Sequence, residues 1–242
     1  MLASLAAGAA LGCVYALLSV GFRVSWDATR APNLAWGGLV LVGAFVGLKV
    51  AGMSVVALSL ALVIGAVLGC GAQLLLKAAV EPWRKLAAGF GVTLLAVGLL
   101  APLWPEAPRA ARPELGLGMT VAQGFDAAVA LGLLLVGLGL MRLRLDRTSW
   151  PAVLLAGAAA SGAGFLLARA YVVSPPSALL YTVVGVAAAA SGGRRLWLAA
   201  LAGLGIAIVQ TLAGASMQNV AVLVCLIVCI ALRAREFELA AE

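Results

Sequence analysis

Tyr15, Asn33, Gln73, Asp126 and Gln210 are polar side chains set within or beside long apolar runs. A hydrogen-bonding or ionisable group in that setting is costly unless it has a partner or a task. An acidic residue at such depth is a common device of ion-coupled transport, and Asp126 is the acidic candidate. A carboxylate near the membrane surface is the plainer reading of it. The amides of Gln73 and Gln210 would either bond helix to helix or line a polar path. Asn33 stands beside a helix start, where free backbone N–H groups help to hold a carboxylate. In the same place an Asn side-chain oxygen also serves as a helix cap.

Other chemistry finds little footing. The chain has no histidine, which removes the commonest haem and metal ligand. Cys13, Cys70, Cys225 and Cys229 all fall inside apolar runs, where free thiols act as small buried hydrophobes. Cys225 and Cys229 are spaced to share one helical face, yet that reading holds for them too. No segment has the form of a nucleotide-binding loop, a nucleophile elbow or a metal cluster. No enzyme activity, metal or cofactor is therefore expected, and energy for any transport would come from another subunit.

The elements that must position these groups follow from composition. Of 242 residues, 64% are hydrophobic and 10% charged, and the mean hydropathy is +1.15. Soluble domains are about 45–50% apolar, so the chain reads as an integral membrane protein, a single transmembrane domain over 1–242. Apolar runs at about 2–22, 33–48, 53–76, 86–104, 118–141, 149–168, 177–192, 196–214 and 218–232 predict an all-α polytopic membrane helix bundle of eight or nine segments. The count turns on the short, Gly-rich run 33–48, a crossing or a broken segment. The first run, with no basic residue ahead of it, reads as a retained span rather than a signal peptide. Gly8 with Gly12, and Gly65 with Gly69, permit close helix approach without identifying an interface.

The net charge of +7 does not indicate a nucleic-acid partner, because it is sorted by side. Twelve of the sixteen basic residues, Arg23, Arg30, Lys77, Arg84, Lys85, Arg142, Arg144, Arg147, Arg194, Arg195, Arg233 and Arg235, fall on one alternating set of loops. The positive-inside rule makes that set cytoplasmic and with it the C-terminus. The connections 142–149 (tight) and 105–117 (long, with Pro105, Pro108 and Pro113) then lie inside and outside respectively.

The stretch "GCVYALLSVGFRVSWDATRAPNLAWGGLVLVGAF" resembles the N-terminal signature of the Liv-type permeases, the membrane subunits of ABC importers for branched-chain amino acids. Gly12, Tyr15, Ala16, Leu17, Gly21, Asn33, Ala35, Gly37, Gly43 and Ala44 fall in register with it. "EPWRK" at 81–85 is similar to that family's basic turn after the third span. Residues 154–168 and 183–212 are similar to its small-residue spans and Gly-Gly turn. The resemblance implies a bacterial inner-membrane permease for a small polar solute, paired with a second related permease. Cytoplasmic ABC ATPases and an extracytoplasmic solute-binding protein would complete the complex. It also makes the polar break Arg23–Asn33 a turn between two membrane segments. Tyr15, Asn33, Gln73 and Gln210 are the polar positions expected nearest the solute path.

Two departures stand out. Trp36 occupies the position of a family histidine, so no imidazole role carries over. "RLRLDRTS", Arg142 to Ser149, replaces a family loop of some two dozen residues that docks into the ATPase. Eight residues cannot supply that helix and its turns at ~1.5 Å per residue. Any remaining ATPase contact would use Trp83, Arg84, Arg142, Arg144 and Arg147. Trp83 also reads as an interfacial belt residue and the arginines as charges that set topology. A permease-derived structural subunit that has lost ATPase coupling is the alternative.

Overall fold

The structure is a computed structural model that describes residues 2–49, 55–79, 81–104, 121–142, 149–171, 173–193 and 195–238. The described residues are helical, with no strand among them. The helices are α1 (Leu2–Thr29), α2 (Trp36–Lys49), α3 (Val55–Ala78), α4 (Pro82–Leu100), α5 (Val121–Arg142), α6 (Trp150–Ala170), α7 (Ser177–Gly192), α8 (Leu196–Leu212) and α9 (Gly214–Glu238). A short 3₁₀ turn, Ala101–Leu103, follows α4. Five of the described helices are long and apolar enough to cross a bilayer. Large apolar side chains such as Val67, Leu95, Leu135 and Ile227 stand exposed on the outside, as a surface facing hydrocarbon requires.

Successive helices alternate in direction. Lys85 near the start of α4 donates to the Thr29 carbonyl at the end of α1, 3.1 Å. Lys77 at the end of α3 lies 4.7 Å from the ring of Trp150 at the start of α6. These ends make a basic end of the bundle. Phe45 against Trp104, and Asp126 against Arg169, mark the opposite end.

Glycine decides which helices meet. A Cβ on Gly43 of α2 would overlap the Ser161 carbonyl of α6, and one on Gly164 of α6 would overlap the Val40 carbonyl of α2. Gly65 and Gly69 of α3 lie against Gly157 and Ser161 of α6 in the same way. The backbones of α2, α3 and α6 therefore touch with almost no side chain between them, the close approach that small residues allow in apolar bundles. Gly8 and Gly12 perform this on α1, against Ile208 and Leu204 of α8. The small-residue pairs seen in the sequence are real contacts, and their partners are α6 and α8. At 14 residues and ~1.5 Å per residue, α2 is shorter than the ~30 Å hydrocarbon core. It packs against α3, α4, α6 and α7.

The polar break is not the turn expected over Arg23–Asn33. Helix α1 continues through it to Thr29, because Arg23 and Asp27 pair one turn apart at 2.6 Å and neutralise each other on the helix surface. Arg30, at φ 54°, ends the helix in the left-handed conformation, its N–H donating to the Trp26 carbonyl at 2.8 Å. That is the left-handed cap usually given to glycine. Pro32 then blocks further helix.

Candidate functional site

Asn33, fully buried, is spent on this turn. Its Nδ2 donates to the Ser25 hydroxyl at 2.8 Å, and its Oδ1 accepts from the Ala35 N–H at 3.1 Å. Thr93 of α4 seals the same place, donating to the Leu34 carbonyl and accepting from the Gly38 N–H. Gly89 lets α4 come this close, since a Cβ there would sit 3.0 Å from the Leu34 nitrogen. Asn33 thus holds the entrance to α2, the capping-type role of such residues at helix starts. It does not join the other expected path residues.

Tyr15 and Gln210 do come together. The Tyr15 hydroxyl donates to Gln210 Oε1 at 2.9 Å, both groups buried, across 195 residues of sequence. The placement follows from helix geometry. Gly203 of α8 lies against the Tyr15 carbonyl, a Cβ there falling 2.7 Å from the oxygen. Gln210 is two turns further on, along the same face. Helical side chains lean toward their own N-terminus, and α1 runs antiparallel to α8, so the Tyr15 ring leans toward Gln210.

The pair belongs to a longer polar seam. The ring of Tyr181 on α7 meets the Tyr15 ring edge to face, centroids 6.4 Å apart. Tyr171, just past α6, follows Arg169 by two residues, and its buried hydroxyl has no hydrogen-bond partner among the described residues. Asp126 on α5, only 1% exposed, pairs with Arg169 on α6 at 3.3 Å, and the Arg169 guanidinium lies 5.9 Å from the Phe165 ring. All three tyrosines of the chain thus lie between the middle of α1 and the end of α6 away from the basic end. The seam holds an ion pair, a phenol hydroxyl bonded to a carboxamide, and a ring contact between two tyrosines. Such a band offers a polar solute both donors and acceptors inside the bundle.

Sequence reasoning did not single out Tyr171, Tyr181 or Arg169. Tyr181 stands alone in an apolar run and Arg169 reads as a loop charge. The scarcity of tyrosine was the one available signal.

Gln73 is separate from the seam. It is fully buried on α3, and neither end of its amide has a hydrogen-bond partner among the described residues. An unmet buried amide costs about 1–3 kcal/mol. At the basic end, Trp83 is exposed, with the Arg84 guanidinium 5.3 Å from its ring. Arg84 in turn pairs with Glu81 at 3.1 Å. Arg142 closes α5. Arg144, Arg147 and the loop 105–117 lie outside the described residues. Cys229 accepts a hydrogen bond from Ser191 at 2.7 Å, and no group of side chains suited to a metal occurs among the described residues.

Comparison with protein-family models gives no match, and comparison with curated proteins and with solved structures gives none.

Proposed function

We propose that the chain is a membrane permease subunit of an ABC-type importer for a small polar solute, of the branched-chain amino acid kind. It would pair with a second related permease, with cytoplasmic ATPases below and a solute-binding protein above. The observation that carries the reading is the seam: Tyr15 and Gln210, two of the four residues expected along a solute path, are joined at 2.9 Å inside the bundle. The ordered likeness of residues 12–44 to the Liv-type signature supports it further.

One specific feature favours the second reading, a structural subunit derived from such a permease. The groups at the seam's two ends are already paired, Tyr15 with Gln210 by a hydrogen bond and Asp126 with Arg169 by charge. The short connection 142–149 points the same way, since it has no room for an ATPase-docking helix.

Purification of the tagged chain in mild detergent separates the two. The permease reading expects a second permease and an ATPase in the complex, and solute uptake that falls in Gln210→Leu while assembly is kept. An intact complex without ATPase, or uptake indifferent to this chain, leaves the structural reading standing instead.

A further inference from the structure

Helix α1 runs to the basic end, turns through Pro32 and is followed by the short α2. Helix α6 runs the other way, turns through Pro175 and Pro176 and is followed by the short α7. The neighbours correspond as well: α1 packs on α8 and α6 on α3, while α4 lies on α2 and α9 on α7. A Cβ on Gly203 of α8 would fall 2.7 Å from the Tyr15 carbonyl oxygen, and one on Gly65 of α3 would fall 2.6 Å from that of Gly157 on α6. Ser19 and Ser161, each one turn further along, meet the same two glycines. Gln210 and Gln73 each stand about two turns beyond them. The sets α1–α4 and α6–α9 are therefore inverted copies of one arrangement, a plan on which many transporters are built.

The polar groups of the two copies are treated differently. On α1 and α8, the Ser19 hydroxyl donates to the Tyr15 carbonyl at 2.6 Å and Gln210 accepts from the Tyr15 hydroxyl. On α6 and α3, Ser161 and Gln73 are both fully buried. Neither the Ser161 hydroxyl nor either end of the Gln73 amide has a hydrogen-bond partner among the described residues. Gly157 stands where the other copy has Tyr15, so it brings no hydroxyl to Gln73, and it draws Gly65 and Gly69 of α3 against its own backbone. Trp36 of α2 adds a third such group, its buried indole N–H equally without a partner among the described residues. Leu39, one turn after Trp36, meets α3 at Gly69, one turn before Gln73. As α2 and α3 run in opposite directions, Trp36 and Gln73 fall at one level of the bundle.

Buried polar groups left unmet lower stability, and a native fold that keeps them gives them a task. The Gln73 amide and the Ser161 hydroxyl both give and take hydrogen bonds, and the Trp36 indole gives one. None of the three carries charge, so together they suit a small zwitterion, its carboxylate taken by the donors and its ammonium by the Gln73 oxygen. Ser161 lies near the middle of α6, and Gln73 lies ~11 Å nearer the basic end, two helical turns away. Building on the permease reading, we propose that the α3–α6 contact is the inner half of the solute path. Ser161, Trp36 and Gln73 pass a zwitterionic amino acid toward the basic end when α3 parts from α6.

The two glutamines test this with opposite signs. Gln73→Leu removes an unmet amide and should raise the melting temperature of the purified full chain by a few degrees, whereas Gln210→Leu strands the Tyr15 hydroxyl and should lower it. L-leucine is titrated by calorimetry onto the tagged full chain with the subunits it retains. The wild type is expected to bind it, and Gln73→Leu should weaken binding about tenfold, the loss of one hydrogen bond to a charged group, although the fold is firmer. Ser161→Ala should act in the same sense. A melting temperature lowered by Gln73→Leu overturns the proposal, because the amide is then bonded at rest. Leucine binding unchanged by Gln73→Leu overturns it too, as does a wild type that binds no leucine. The permease reading is judged separately, by the ATPase in the complex and by uptake. Uptake lost in Gln210→Leu and kept in Gln73→Leu leaves that reading standing and removes this one.

Discussion

A tyrosine hydroxyl and a glutamine carbonyl buried together in an apolar bundle are worth more to each other than to lipid, which cannot hydrogen-bond. Replacing Tyr15 by Phe leaves Gln210 Oε1 without its donor, and replacing Gln210 by Leu leaves the Tyr15 hydroxyl without its acceptor. Each single change should destabilise, and the double change should cost less than their sum. The expected coupling is about 0.6–2 kcal/mol, the range for interhelical hydrogen bonds in membranes. It is read from a double-mutant cycle of unfolding in mixed micelles. Full additivity would mean that the pair does not form. The Asp126–Arg169 pair follows a harsher rule. Removing one member strands a charge in low dielectric, whereas removing both together need cost little.

Among elements, the fold depends on backbones that touch. Gly43 of α2 and Gly164 of α6 face each other's carbonyls, so Gly43→Ala or Gly164→Ala must push α2 away from α6. We expect a loss of about 1–3 kcal/mol for each, the usual cost of overpacking, seen as a lower melting temperature and poorer yield. Gly98 on α4 has open space around it, and Gly98→Ala should be neutral or stabilise by up to about 1 kcal/mol, because alanine loses less backbone entropy in a helix. If Gly43→Ala and Gly98→Ala behaved alike, the contact of α2 with α6 would not be what holds these helices.

At the scale of the whole molecule, the charged ends orient the bundle. Glu81 lies at the basic end and Ser174 beyond the opposite end of α6, both exposed. In a cysteine-free background, Glu81→Cys should react only with a reagent admitted to the cytoplasm, and Ser174→Cys with an impermeant reagent outside, as the positive-inside rule requires. Reversed labelling would invert the topology and place the polar seam in the cytoplasmic half. Labelling of both from one side would show that the number of crossings between them is even.

Helical class, the presence of helices long and apolar enough to cross a membrane, and the approximate reach of each helix were legible in the sequence, since long apolar runs with every backbone group bonded within the helix leave few alternatives. The sorting of basic residues was legible for the same reason: charge stays at the ends. The turn before α2 was misplaced, because an i to i+4 pair such as Arg23 with Asp27 neutralises itself and lets a helix run through a segment that looks polar. Tyr15 and Gln210 were recognisable as polar intruders, yet no local signal joins residues 195 apart. Only tertiary packing decided that Gly203 brings α8 onto α1 at Tyr15, that Asn33 is used up within its own turn, and that Asp126 faces Arg169. Small residues and lone polar groups report that a close contact exists. Which helix lies across from them depends on how all the helices fit together at once.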